Sequence, residues 1–106
     1  MMDRRALGLM KPTAVLINVA RGGIVDETAL IEALQNSRIR GAGLDAFTDE
    51  PLDPAHPLLQ LDNVIATPHV AAATTGTGRR RAQAAAENVA RIAQGLPPLY
   101  QITSVE

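Results

Sequence analysis

The chain has 106 residues, 46% of them hydrophobic, yet only one Tyr, one Phe and no Trp, so any core is aliphatic and the length suits one small domain. Ten basic and eleven acidic residues leave a formal net charge of −1, which offers no footprint for a nucleic acid or an anionic membrane surface. The absence of cysteine excludes disulfide, zinc-thiolate and thiol chemistry; no apolar run approaches the ~20 residues of a membrane span, and MMDRRALGLMK lacks a signal-peptide stretch, so a cytoplasmic protein is expected.

Residues 3–9 suit a short helix, stopped by Pro12. Ala14, Val15, Leu16 and Ile17 form a continuous apolar run between turn signals, the pattern of a parallel strand covered on both faces. The run breaks at Asn18, and Arg21 then stands before the pair Gly22-Gly23. A charge at the mouth of a buried strand must be used or solvated. Asp26 is a good N-cap for a helix over residues 27–36, and Val25 with Leu30 has staple spacing. Ala29, Leu30, Ala33 and Leu34 fall on one face of that helix.

A second strand is predicted over residues 39–47, IRGAGLDAF, where glycines permit close packing. Pro51, Pro54 and Pro57 make the next stretch an irregular connection. A short third strand over residues 63–66 ends at Thr67-Pro68-His69. A long helix is predicted from about Thr74, with Ala82, Ala85, Ala86, Val89, Ile92 and Ala93 on one face. Gly95 closes it at C′, and Pro97-Pro98 prevents continuation. The tail LYQITSVE is short and expected to be extended.

Strand, helix and strand form a βαβ unit, so the first two strands should be parallel. The fold class is α/β: a partial Rossmann-like domain of about three parallel strands with flanking helices. Three such strands leave open edges and one face without helices. In open α/β sheets ligands bind outside the carboxyl ends of the strands. The oddest polar residues, Arg21, Asp45, Glu50 and His69, fall at those ends. Taken singly, each has a plain structural reading: a solvated charge, a turn residue, a surface carboxylate. Their coincidence marks them. His56 reads as an exposed loop residue, and Arg79, Arg80 and Arg81 as an exposed helix start. Gly41-Ala42-Gly43-Leu44-Asp45-Ala46 fits G-x-G-x-x-A, but it lies inside a predicted strand instead of opening a helix. No phosphate-binding glycine loop is therefore read here, and no metal site.

Three segments, MKPTAVLINVARGGIVDETALIEAL, GAGLDAFTDEPL and HPLLQLDNVIATPHVAAAT, together resemble the D-isomer-specific 2-hydroxyacid dehydrogenases, from about Leu7 to Pro98. The resemblance implies hydride transfer between a nicotinamide cofactor, NAD or NADP, and a small 2-oxo or 2-hydroxy acid. It implies catalytic roles for Arg21 as carboxylate anchor, His69 as general acid/base and Glu50 as its partner. It implies that Asp45 contacts the nicotinamide end of the cofactor, and that Ala20, Ala71 and Ala72 line the ring pocket, which Arg21 and His69 also border. The chain departs from the family pattern at Val70-Ala71-Ala72-Ala73, where a glycine is common, and at Gly76, near which an acidic residue is common. Residues 1–73 correspond to the second half of a Rossmann-type NAD-binding domain, and residues 74–106 to the helix and tail that return to the substrate domain. On this reading the chain is truncated, and either a missing N-terminal half or self-association would complete it. The alternative is a non-catalytic remnant acting only as a binding or oligomerisation module.

Overall fold

In the computed structural model, which describes residues 1–102, three strands lie in one parallel sheet in the order β1-β2-β3. They are β1 (Val15–Asn18), β2 (Gly41–Leu44) and β3 (Val64–Ala66). The sheet belongs to the first of two compact units, Met1–Ala71; the second begins at Ala72. Two helices complete the first unit, α1 (Arg4–Gly8) and α2 (Glu27–Gln35), together with 3-10 turns at Gly22–Ile24 and Pro57–Gln60.

The start of α2 follows from local chemistry. Asp26 Oδ1 accepts the Ala29 amide at 3.0 Å, satisfying one of the donors that a helix start leaves without partners. Val25 and Leu30 are both buried, as staple spacing requires. The opposite side of α2 meets α1, where Arg4 pairs with Glu32 through both guanidinium nitrogens.

The register pairs Leu16 with Ala42, Asn18 with Leu44, Ala42 with Val64 and Leu44 with Ala66. Because side chains alternate along a strand, these residues share one face. That face carries the core: Leu7, Leu16, Leu30, Leu34, Ile39, Leu44, Phe47 and Leu58 form one buried cluster. Leu58 is fully buried and Leu7, Leu30 and Ile39 nearly so, each side chain stabilising the fold by about 1.5–3 kcal/mol. The other face carries Val15, Ile17, Gly41, Gly43 and Ile65, and its large side chains are exposed, Ile65 by 73% and Ile17 by 66%. The apolar run of β1 is the pattern of a strand covered on both faces, but α1 and α2 cover only one, which leaves the face without helices that a three-strand sheet was expected to have.

The second strand is shorter than the predicted 39–47. Its last ladder bond runs from the Asp45 amide to Asn18 O at 2.9 Å. Beyond Asn18 the first strand turns away, so Ala46 and Phe47 have no neighbour to pair with. The turn at Gly22 crosses there instead. A Cβ on Gly22 would lie 2.0 Å from the Phe47 carbonyl carbon, so only glycine lets the two backbones touch.

His56 also differs from expectation. It is half-buried and caps the Pro57–Gln60 turn, its Nδ1 accepting the Leu58 amide at 3.3 Å. Its Nε2 lies 3.3 Å from Glu27 Oε1, whose other oxygen accepts the Thr48 amide at 3.1 Å. This clasp fastens the proline-bearing connection to the start of α2.

The second unit holds α3 (Thr75–Ala93). Thr74 Oγ1 accepts the Thr77 amide at 3.1 Å. At the far end Gly95 takes φ 72, the Gly95 amide bonds Ile92 O at 3.0 Å and the Leu96 amide bonds Arg91 O at 2.9 Å, which is a Schellman closure. The following segment folds back on the helix rather than extending: Asn88 Oδ1 accepts the Leu99 amide at 2.7 Å, and Tyr100 has φ 59. The rest of the expected extended tail, residues 103–106, lies outside the described residues. The apolar stripe of α3 is exposed, Val89 by 70% and Ile92 by 63%. Arg79, Arg80 and Arg81 are exposed as well. No helix among the described residues is long and apolar enough to cross a membrane.

Candidate active site

Each candidate in the first unit follows the carboxyl end of its strand. Asn18 ends β1 with its side chain 3% exposed, and it shapes the chain beyond. Its Nδ2 donates to Arg21 O at 2.9 Å and its Oδ1 accepts the Ala20 amide at 3.1 Å. These bonds hold Arg21 in an extended conformation ahead of the Gly22–Ile24 turn. The Arg21 side chain stays exposed, with Nη1 donating to Ala20 O at 2.6 Å.

Glu50 sits in the loop after β2. Its Oε1 accepts the Phe47 amide at 2.9 Å. Its Oε2 lies 2.8 Å from His69 Nδ1. A carboxylate only accepts, so Nδ1 carries the proton. The other ring nitrogen, Nε2, lies 3.5 Å from Arg21 Nη1. The His69 contact, then the Phe47 amide and the Arg21 charge, hold the Glu50 carboxyl below its usual range. Arg21, Glu50 and His69 are therefore brought together in one exposed cluster, with the imidazole between the carboxylate and the guanidinium. Guanidinium nitrogens only donate. Once Nε2 is protonated, two donors face a common space with no acceptor between them, which is a place for an anionic oxygen.

Asp45, in contrast, is 2% exposed. Its Oδ1 accepts the Thr67 hydroxyl at 2.5 Å and the Val70 amide at 2.8 Å, and its Oδ2 accepts the Ala71 amide at 2.8 Å. The Thr67 hydroxyl first, then the Ala71 and Val70 amides, hold its carboxyl below the usual range. Ala20 and Ala71 are exposed beside Arg21 and His69 in sequence. Ala72 opens the second unit. Sequence reasoning gave no role to Asn18 or Thr67. The signal for Asn18 was present, a polar residue at a core-facing register position; nothing local distinguishes Thr67. Among the described residues, no group of three or more His, Cys, Asp or Glu could hold a metal.

Residues 1–71 match the family described as D-isomer specific 2-hydroxyacid dehydrogenase, NAD binding domain. The chain is 51% identical over 92 residues to a glyoxylate reductase of Aeropyrum pernix, covering 87% of this chain and 28% of that protein. It is 51% identical over 89 residues to glyoxylate/hydroxypyruvate reductase B of Serratia proteamaculans, covering 84% and 27%. It superposes with a TM-score of 0.84 and 39% identity on the crystal structure of an NADPH-dependent glyoxylate/hydroxypyruvate reductase from Sinorhizobium meliloti in complex with NADP and malonate, covering 96% and 32%. The chain spans less than a third of the length of these three proteins. With a family match over two thirds of its residues, the chain belongs to the D-isomer specific 2-hydroxyacid dehydrogenases, as part of their NAD-binding domain.

Proposed function

We propose that this chain supplies the carboxyl-end part of the active site of an NAD- or NADP-dependent reductase of small 2-oxo acids. His69 is the proton donor, Glu50 its partner and Arg21 the carboxylate anchor. The observation that carries the reading is the His69 ring, with Nδ1 2.8 Å from Glu50 and Nε2 3.5 Å from Arg21. A 2-oxo acid offers two acceptors to the two donors that face each other there. Its carboxylate suits the planar guanidinium fork, and its carbonyl oxygen suits Nε2–H. During reduction His69 gives the Nε2 proton to that oxygen while Glu50 holds the ring through Nδ1–H. In the reverse direction the neutral ring takes the hydroxyl proton at Nε2. The malonate in the Sinorhizobium meliloti complex is a small dicarboxylate, in keeping with an anchor for acids.

A bound nicotinamide cofactor would supply the hydride. The residues fit its nicotinamide end. Ala20 and Ala71 are small and exposed beside Arg21 and His69, so nothing larger than a methyl group stands at these positions against a flat ring. The residues do not fit the pyrophosphate end. The glycine pair Gly22-Gly23 between β1 and α2 lies in a 3-10 turn with Gly22 packed on the Phe47 backbone, and α2 opens on Asp26 and Glu27, whose charges oppose phosphate. Residues 74–106 are read as the helix and tail returning to the substrate domain. The alternative of a non-catalytic remnant is not favoured, since it leaves the Arg21, His69 and Glu50 arrangement without a use.

A chimera tests this reading. The chain replaces the matching 92 residues of the Aeropyrum pernix glyoxylate reductase, and oxidation of NADH or NADPH is followed with glyoxylate or hydroxypyruvate. The chimera should turn over. His69→Gln should lower kcat by about 10²–10⁴-fold, and Arg21→Lys should act mainly on KM, because an ammonium cannot reproduce the bidentate fork. An active chimera whose His69→Gln variant keeps its rate would overturn the assignment.

A further inference from the structure

We propose that Asp45 is the positioning residue of this site: its buried carboxylate gathers donors from both sides of His69 and so holds the imidazole against Glu50. The inference rests on the reading of His69 and Glu50 as the acid/base pair.

His69 has φ 54, in the left-handed region, which a residue with a side chain rarely adopts unless the surroundings hold it there. Its own amide closes a tight turn onto Thr67 O at 3.0 Å, which alone does not fix the residues that follow. Asp45 does. Thr67 precedes His69 by two residues, and Val70 and Ala71 follow it directly; all three donate to the same carboxylate, at 2.5, 2.8 and 2.8 Å. Asp45 is fixed in turn by the sheet, through its amide on Asn18 O. The chain of contacts thus runs from the end of β1, through the end of β2, to the backbone on either side of the histidine.

A buried aspartate could simply be satisfying itself. The donor pattern says why a carboxylate stands here. Oδ1 takes two donors and Oδ2 a third. An asparagine would turn one amide N–H toward another N–H, because its nitrogen donates and cannot accept. Only a group with two accepting atoms draws in all three donors. Asp45 forms no ion pair among the described residues, so its charge is held by these neutral donors. With both oxygens engaged inside the chain and the side chain 2% exposed, Asp45 acts through His69. Its carboxyl is held below the usual range, so it stays ionised at neutral pH and the clamp stays closed while His69 changes charge.

The readout is the position of the imidazole proton. The ¹⁵N-labelled 106-residue chain is followed by NMR at a concentration where it sediments as a monomer, with His69 in its neutral form. His56→Gln removes the signals of the other histidine. The proton should reside on Nδ1, facing Glu50, and Glu50→Ala should release it to Nε2. Asp45→Asn should do the same although Glu50 is intact, while amide shifts change at Val70 and Ala71 and elsewhere stay close to wild type. If Asp45→Asn moves those amides but leaves the proton on Nδ1, Asp45 is only a satisfied core carboxylate and the proposal falls. Should Asp45→Asn fail to fold, Thr67→Val decides: it removes one donor, and the clamp predicts a partial transfer of the proton to Nε2, whereas an unchanged ring overturns it. If Glu50→Ala leaves the proton where it was, the acid/base pairing fails and the clamp falls with it. If Glu50→Ala acts and Asp45→Asn does not, only the clamp is lost.

Discussion

At the scale of single residues, the two carboxylates around His69 share a direction. Glu50 and Asp45 are both held below their ordinary values of 4.5 and 3.8 when folded. Their donors differ: a histidine ring and an amide for Glu50, a hydroxyl and two amides for Asp45. On acidification the unfolded chain therefore binds these protons first. The stability they contribute is complete above the ordinary carboxylate range and is lost as pH falls through the lower, folded values. Urea unfolding of the first unit should give a midpoint that is flat near neutrality and declines below about pH 4.5. Glu50→Gln removes one of these titrations and leaves those of Asp45 and of Glu32, which Arg4 also holds low, so its acid limb should be shallower than wild type. An acid limb unchanged by Glu50→Gln would mean that the Glu50 contacts do not persist in solution. Arg21, Glu50 and His69 were legible as candidates because each follows a strand end by a few residues and carries a charge a loop rarely needs. The way Asp45 is used was not legible. Its donors lie 22 to 26 residues away, and only the fold brings them within reach.

At the scale of elements, the crossing at Gly22 carries the greatest constraint. A Cβ there meets Phe47 C at 2.0 Å, Phe47 O at 2.1 Å and Thr48 N at 2.4 Å. All three are backbone atoms, so no rotamer change makes room. Gly22→Ala must part the turn after β1 from the loop after β2, the two segments that carry Arg21 and Glu50. The expected cost is about 3 kcal/mol, the upper end for an overpacked core. Gly23→Ala is the control, since its Cβ would meet nothing within 4 Å, and it should change stability by less than about 0.5 kcal/mol. Urea midpoints of the two variants check this, and equal midpoints would show that the crossing is looser than described. The pair GG in the sequence signals a turn but not which glycine is indispensable. α2 is legible for the opposite reason: its cap at Asp26, its staple and its apolar stripe are all written within about ten residues. The length of β2 is not, because a strand ends where its neighbour leaves, and the apolar character of Ala46 and Phe47 serves the core rather than the ladder. The half-buried place of His56 is not legible on the same ground, since its partner Glu27 is 29 positions away in sequence and meets it only through the fold.

At the scale of the whole chain, the sheet is finished on one face and bare on the other. Both β1 and β3 are edge strands, and unpaired edges are templates for further pairing. Val15, Ile17 and Ile65 stand exposed on the bare face, with Gly41 and Gly43 between them in the register, so a shallow apolar trough runs along β2. In a parallel sheet such a face is ordinarily covered, and leaving it in water forgoes about 25 cal/mol for each square ångström of apolar surface. The 106-residue chain, purified by itself, is therefore expected to associate as its concentration rises. Sedimentation velocity should show a monomer at low concentration giving way to dimers or larger species. Ile17→Thr combined with Ile65→Thr should restore the monomer. Both residues lie outside the buried cluster, so the double variant should keep the wild-type urea midpoint within about 1 kcal/mol of stability. The two substitutions separate the face from the edges: they leave the backbone donors and acceptors of β1 and β3 untouched. Association that survives them points to edge pairing, and a wild-type chain that stays monomeric across the whole range shows that the bare face does not drive contact at all.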